Sequence, residues 1–175
     1  MKTIIVSYSL TGNNDALAAA AAQALAADHI RITGQKQRKT GAILLDRMFG
    51  RTPRTQPSPE VLSGYERILF VAPVWMGIAA SPLRACLAYL KKHPKTYAFA
   101  SISGGALGVN TKLAADLEKR TGLKPAAVID QHIAALLPQE AKPTTKDTSG
   151  YRINAAETAR LCDMLVGILQ EICGF

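Results

Sequence analysis

The residues Ser9-Leu10-Thr11-Gly12-Asn13-Asn14 crowd hydroxyl, glycine and amide groups between a short hydrophobic run and an alanine-rich stretch. Ser9, Thr11, Asn13 and Asn14 bring side-chain donors, and Gly12 lets backbone approach closely. A helix starting at Asn13 turns its unsatisfied N–H groups and positive end toward the same space. This chemistry suits a terminal phosphate held mostly by neutral hydrogen bonds. A capped strand-to-helix turn draws on the same residue types, so the segment alone does not decide between the two readings.

Two further segments carry unusual chemistry. In "PVWMGIAASP", Pro73 and Val74 lead to Trp75 and Met76, a flat and a deformable apolar surface, and Gly77 permits a tight turn whose peptide can meet a planar ligand. In "SISGGALGVN", Ser103, Gly104 and Gly105 expose backbone amides and carbonyls able to read the polar rim of an aromatic ring system. Each has an ordinary structural explanation as core or turn. Together they amount to a phosphate seat, an aromatic wall and a polar backbone rim, a combination that suits flavin mononucleotide (FMN).

Those three segments need elements that bring them to one edge. "KTIIVSYS" reads as a first strand and Asn13 to Asp28 as a helix; "HIRIT" alternates as a second strand. "ERILFVAPVW" is a continuous apolar run of the kind buried on both faces, followed by a helix opened by Ser81-Pro82 and carrying Leu83, Leu87 and Leu90. "TYAFASIS" and "AAVIDQHI" are strands around the helix "NTKLAADLEKRTG", which has Gly122 at its C-cap. A last helix spans about Asn154 to Ile172, with Leu161, Leu165, Ile168 and Ile172 expected inward. This alternation predicts one domain over residues 1–175. It has a doubly wound parallel α/β sheet with helices on both faces, and ligands bind at the C-terminal ends of the strands. Two stretches break the rhythm: Gly34 to Pro59, with helical spacing in "AILLDRMF", and Ala134 to Tyr151, expected to be partly extended.

On these residues the sequence resembles the flavodoxin superfamily. The segment from Ser9 to Asn14 is similar to the family's (S/T)-x-T-G-x-T phosphate loop, with Asn14 where a threonine is usual. "YERILFVAPVWMGIAASPLRACLAYL" resembles its third strand, flavin loop and following helix, and "ASISGG" its other flavin loop. The resemblance implies a flavodoxin-like five-stranded sheet of order 2-1-3-4-5. It also implies FMN with its phosphate against Ser9, Leu10, Thr11, Gly12, Asn13 and Asn14, and its isoalloxazine between the segments around Trp75 and Gly104. Ala at Thr11 or Asn14 is then expected to weaken FMN binding and leave the fold intact.

Composition bounds the function. The formal charge is +8, and from Arg31 to Arg54 seven basic residues face the single acid Asp46. That segment reads as a solvated face, or as a dock for an acidic redox protein or the phosphates of a nicotinamide donor; nucleic acid is a poorer match. Acidic electron carriers of the family have the opposite charge, and no Asp or Glu lies within the three segments. A reduction potential less negative than theirs is therefore expected. Cys86, Cys162 and Cys173 lack metal or disulfide spacing, and no apolar run reaches the roughly 18–20 residues that cross a bilayer. A cytoplasmic protein without membrane insertion is expected. G-x-S-x-G and G-x-G-x-x-G are absent, which argues against a serine hydrolase and a dinucleotide fold. The alternative to an FMN-dependent oxidoreductase or electron-transfer protein is a flavin-free module of the same fold that holds an acidic partner through its basic segment.

Overall fold

The computed structural model describes residues 1–34, 52–104, 110–138 and 143–175. The helical spacing of "AILLDRMF", the residue Gly105 and five of the seven bases of the basic segment lie outside the described residues.

Five parallel strands form the central sheet: β1 (Thr3–Ser7), β2 (Asp28–Arg31), β5 (Arg67–Val71), β8 (Thr96–Ser103) and β9 (Val128–His132). Their spatial order is β2-β1-β5-β8-β9. Renumbered along the chain this is 2-1-3-4-5, so the winding reverses between β1 and β5, where an open sheet leaves a crevice at its C-terminal edge. The registers Ser7↔Val71 and Val71↔Ala100 align the ends of β1 and β5, while β8 continues to Ser103, paired with His132. The β-branched and aromatic content of these strands makes them good pleated surfaces, and alternation sends their side chains to two opposite cores.

On one face, Ile4, Val6, Ile68, Phe70, Tyr97 and Phe99 pack against α2 (Arg84–Lys92) through Cys86, Leu87 and Leu90, and against α3 (Leu113–Thr121) through Leu113 and Leu117. On the other, Ile5, Leu69, Val71, Ala98, Ala100 and Ile102 receive α1 (Asn13–Ala24) through Leu17, Ala18, Ala21 and Ala22. The small strand residues there let α1 lie close. Fully burying one Leu or Phe side chain contributes about 1.5–3 kcal/mol, so both faces are strongly specified.

The last helix, α5 (Ala155–Cys173), begins at Asn154, whose side chain accepts from Glu157 N–H while Glu157 reaches back to Asn154 N–H. Its inward stripe is Leu161, Cys162, Leu165 and Leu169. Ile168 is only half-buried and Ile172, in the last turn of the helix, is exposed, a correction to the expected stripe. The stretch expected to be partly extended holds a 3₁₀ turn (Ile133–Leu136) and a short helix, α4 (Thr145–Ser149), with Leu137 and Thr144 extended between them. Thr144 starts α4 because Asp147 accepts from both its N–H and its hydroxyl. Two small antiparallel pairs flank the sheet: β3 (Thr33–Gly34) with β4 (Thr55–Gln56), and β6 (Val74–Trp75) with β7 (Ile78–Ala79). Among the described residues no helix is long and apolar enough to cross a membrane.

Candidate functional site at the C-terminal sheet edge

The turn after β1 is held open by Gly12 at φ 95°, a left-handed conformation that a side chain disfavours. Ser9 Oγ accepts from Gly12 N–H at 2.9 Å, and Gly12 C=O accepts from Ala16 N–H at 2.9 Å. Gly12 thereby becomes the N-cap of α1, and among the described residues no side chain caps the amides of the first turn. Ser9 and Thr11 are half-buried, and Leu10 is exposed.

Asn13 and Asn14 turn the other way. Both are buried, and both spend their carboxamides on backbone. Asn14 Nδ2 donates to Ile102 C=O at 3.0 Å while its Oδ1 accepts from Ile102 N–H at 3.0 Å, so the first turn of α1 is clipped to β8. Asn13 Nδ2 donates to Tyr151 C=O at 3.0 Å and its Oδ1 accepts from Ile153 N–H at 3.2 Å. The expectation that Asn14 is dispensable to the fold is therefore corrected: its loss strands two backbone groups at Ile102. What Asn13 and Asn14 offer outward is their backbone N–H.

The second segment is a β-hairpin. Val74 pairs with Ala79 and Trp75 with Ile78, and the two-residue turn puts Met76 at φ 53° and Gly77 at φ 80°. Two positive φ values match the twist of the flanking strands, at a cost for Met76 of about 1–2 kcal/mol. Pro73, Val74, Trp75 and Gly77 are half-buried, and Met76 is exposed. Trp75 meets Tyr8 edge to face with ring centroids 5.8 Å apart, which ties this hairpin to the end of β1.

The third segment leaves β8 at Ser103, which is buried, and Gly104, which is half-buried. A Cβ on Gly104 would stand 3.1 Å from Thr148 C=O, and the Thr148 hydroxyl donates to Gly104 C=O. Residues 143–153 thus form a strap that bears on Gly104 through Thr148 and on α1 through Asn13.

Strand β9 adds groups that the three segments do not contain. Asp130 and His132 stand two apart and share a sheet face with Ser101 and Ser103, their register partners. The Ser101 hydroxyl donates to Asp130 Oδ1, and Asn110 Nδ2 donates to Asp130 Oδ2 at 2.5 Å. His132 Nε2 lies 3.3 Å from Asp130 Oδ2, and its Nδ1 lies 3.3 Å from Ser103 Oγ. Asn110, Thr111, Leu113, Ala114, Val128, Asp130 and His132 line a hollow of about 580 Å³. Asn110 Oδ1 also lies 3.9 Å from where Gly77 would carry a Cβ, so the hollow borders the Trp75 hairpin. The segments themselves hold no acid, but the fold sets Asp130 beside the third, so the site is not free of carboxylate and a less negative potential no longer follows from its charge. The sequence did carry a signal, since Asp-x-His at the end of a strand puts both side chains on one face.

Under the first segment, Ser7 donates to Asp15 Oδ1 at 2.7 Å and lies 2.9 Å from His29 Nε2. Its one proton goes to Asp15, so the His29 nitrogen facing it carries the N–H. Arg31 Nε lies 3.6 Å from Asp15 Oδ2. Burial, followed by the Arg31 charge, pushes the His29 pKa down against the pull of Asp15. Among the described residues no group of His, Cys, Asp and Glu could hold a metal ion.

No family model and no curated protein matches the sequence. Solved structures do match it. A flavoprotein from Lactobacillus acidophilus NCFM in complex with FMN is 23% identical, with 74% of this chain and 93% of that one covered at a TM-score of 0.60. A candidate flavoprotein from Bacteroides eggerthii is 17% identical over 75% and 87%, with a TM-score of 0.63. A candidate quinone reductase from Klebsiella pneumoniae is 12% identical over 99% and 85%, with a TM-score of 0.54. Likeness at these identities speaks to architecture, and with the observed strand order it makes the fold flavodoxin-like.

Proposed function

We propose that this chain, flavodoxin-like in fold, binds FMN at the C-terminal edge of its sheet and serves as an oxidoreductase or electron-transfer protein. The observation that carries the reading is the start of α1. Gly12 at positive φ leaves the first-turn amides without a side-chain cap, with Ser9 and Thr11 beside them. Uncapped amides at a positive helix end favour an anion, and neutral hydroxyls complete a phosphate cradle without a lysine.

The remaining residues fit the rest of the group. Trp75, steadied by Tyr8, offers an aromatic wall with Pro73, Val74, Met76 and Gly77 around it, and the backbone at Ser103 and Gly104 offers donors and acceptors to a ring edge. FMN supplies one- or two-electron chemistry when bound; these residues bind it, orient it and limit the approach of water. The neighbouring FMN-bound flavoprotein supports the same assignment.

Titration of flavin-free protein with FMN tests the reading. Binding should quench flavin fluorescence and raise Tm, and Thr11→Ala should weaken it while leaving the Tm of the flavin-free protein unchanged. If saturating FMN moves neither signal, the reading fails and the flavin-free interaction module takes its place. Given binding, oxidation of NADPH with a quinone acceptor separates a reductase from a carrier that works only with a protein partner.

A further inference from the structure

We infer that Arg152, on the strap, brings positive charge to the phosphate seat and so makes the site select a phosphorylated flavin over the same ring without phosphate. The inference rests on the FMN reading and adds to it a residue that lies outside the three segments.

Charge is the first ground. A phosphate monoester carries about −1.5 to −2 at neutral pH, and Ser9, Thr11 and the first-turn amides of α1 answer it with neutral donors. Asp15 stands in that same first turn, where its carboxylate opposes a second anion. Arg31 does not make up the difference, because its Nε already lies 3.6 Å from Asp15 Oδ2. A cation from elsewhere in the chain would bring the turn into balance.

The clasp between α1 and the strap delivers one. Asn13, the first residue of α1, donates to Tyr151 C=O at 3.0 Å and accepts from Ile153 N–H at 3.2 Å, so it grips the residues on either side of Arg152. Tyr151 and Ile153 pack against the core, and Arg152 between them is exposed. Arg152 Nη1 donates to Gly150 C=O at 3.1 Å and to Tyr151 C=O at 3.2 Å. Tyr151 C=O thus receives both Asn13 Nδ2 and Arg152 Nη1, which holds the guanidinium at the start of α1.

Those two bonds use the protons of Nη1 alone. Among the described residues, Nε and Nη2 have no partner and no carboxylate pairs with this guanidinium. Their N–H groups form the planar fork that meets a phosphate in two parallel bonds.

The test compares FMN with riboflavin, which has the same ring and ribityl chain and no phosphate, by quenching of flavin fluorescence on the full-length flavin-free protein. Arg152→Gln should weaken FMN binding by about tenfold or more and change riboflavin binding less than about twofold, and the loss should shrink as salt is raised. Lys124→Gln removes the same charge from the exposed loop after α3, at the opposite edge of the sheet, and should leave FMN binding unchanged. Amide exchange at Tyr151 and Ile153 in Arg152→Gln should match the parent, since the Asn13 clasp is untouched. The inference is overturned if Arg152→Gln binds FMN as the parent does, or if Lys124→Gln costs as much, which would make the effect one of net charge. It is overturned equally if riboflavin affinity falls by the same factor or the strap amides exchange faster, since either makes Arg152 a prop of the strap. A parent that binds both flavins with equal affinity keeps the flavin site and overturns this inference alone. A parent that binds neither removes the FMN reading and the inference together.

Discussion

Asn14 and Ile102 exchange two hydrogen bonds, one in each direction, both 3.0 Å long, and so fasten the first turn of α1 to the C-terminal end of β8. The side chain does what a neighbouring strand would do. Asn14→Ala leaves the buried N–H and C=O of Ile102 unpaired and should cost about 1–3 kcal/mol. For a chain of this size that lowers Tm by roughly 2–4 °C per kcal/mol. Thermal unfolding of the flavin-free variant beside Thr11→Ala checks it: equal melting temperatures for the two would refute a structural role for Asn14.

Gly104→Ala should loosen the strap. The added methyl meets Thr148 C=O at 3.1 Å, a backbone atom that can yield only if residues 143–153 shift. Faster amide exchange at Tyr151 and Ile153, with the β1 and β5 amides unchanged, is the expected pattern. Unaltered exchange in that segment would mean the strap does not bear on Gly104.

The His29 environment gives stability a pH dependence of known sign. Its folded pKa lies below the ordinary 6.5, so the unfolded chain binds the proton more readily. This contribution is complete above pH 6.5, declines as pH falls from there toward the folded value, and is constant below that. His29→Gln keeps a donor for Ser7 and removes the titration. The difference in unfolding free energy between the two proteins should therefore change across this window; a flat difference contradicts the assignment.

Cys86 should resist thiol reagents in the native protein. Burial, with the Glu60 charge adding to it, pushes its thiol up to about 12, so almost no thiolate exists at neutral pH. Peptide mapping after brief alkylation should find Cys86 unmodified until denaturant is added. Cys162, whose pKa burial also raises, should lag in the same way. Prompt native labelling of Cys86 would show that the α2 core opens.

The sheet was legible because its strands are apolar runs whose period and punctuation are local properties. "ERILFV" could be nothing but a buried strand, and Gly122 marked the end of α3 as it should, at φ 72°. The elements of the proposed cofactor edge followed from strand order alone. What stayed hidden depends on distant partners. The inward turn of Asn13 and Asn14 is set by Tyr151, Ile153 and Ile102, and nothing near residue 14 announces them. The hairpin at Met76 and Gly77 was obscured by a left-handed methionine, an uncommon choice at such a turn. Asp130 and His132 were read as members of a strand, and their chemistry emerges only when Ser101, Ser103 and Asn110 stand beside them.

The bond from Asn13 to Tyr151 joins residues 138 positions apart. The phosphate-type turn is synthesised well before the clasp that holds its helix in place. During translation, residues 9–14 can therefore form a turn but cannot acquire their finished geometry until the ribosome has released the chain past Ile153. If FMN binds at this edge as proposed, its loading follows the synthesis of Tyr151 and Ile153, and Asn13→Ala, which opens the clasp and keeps α5, should slow it.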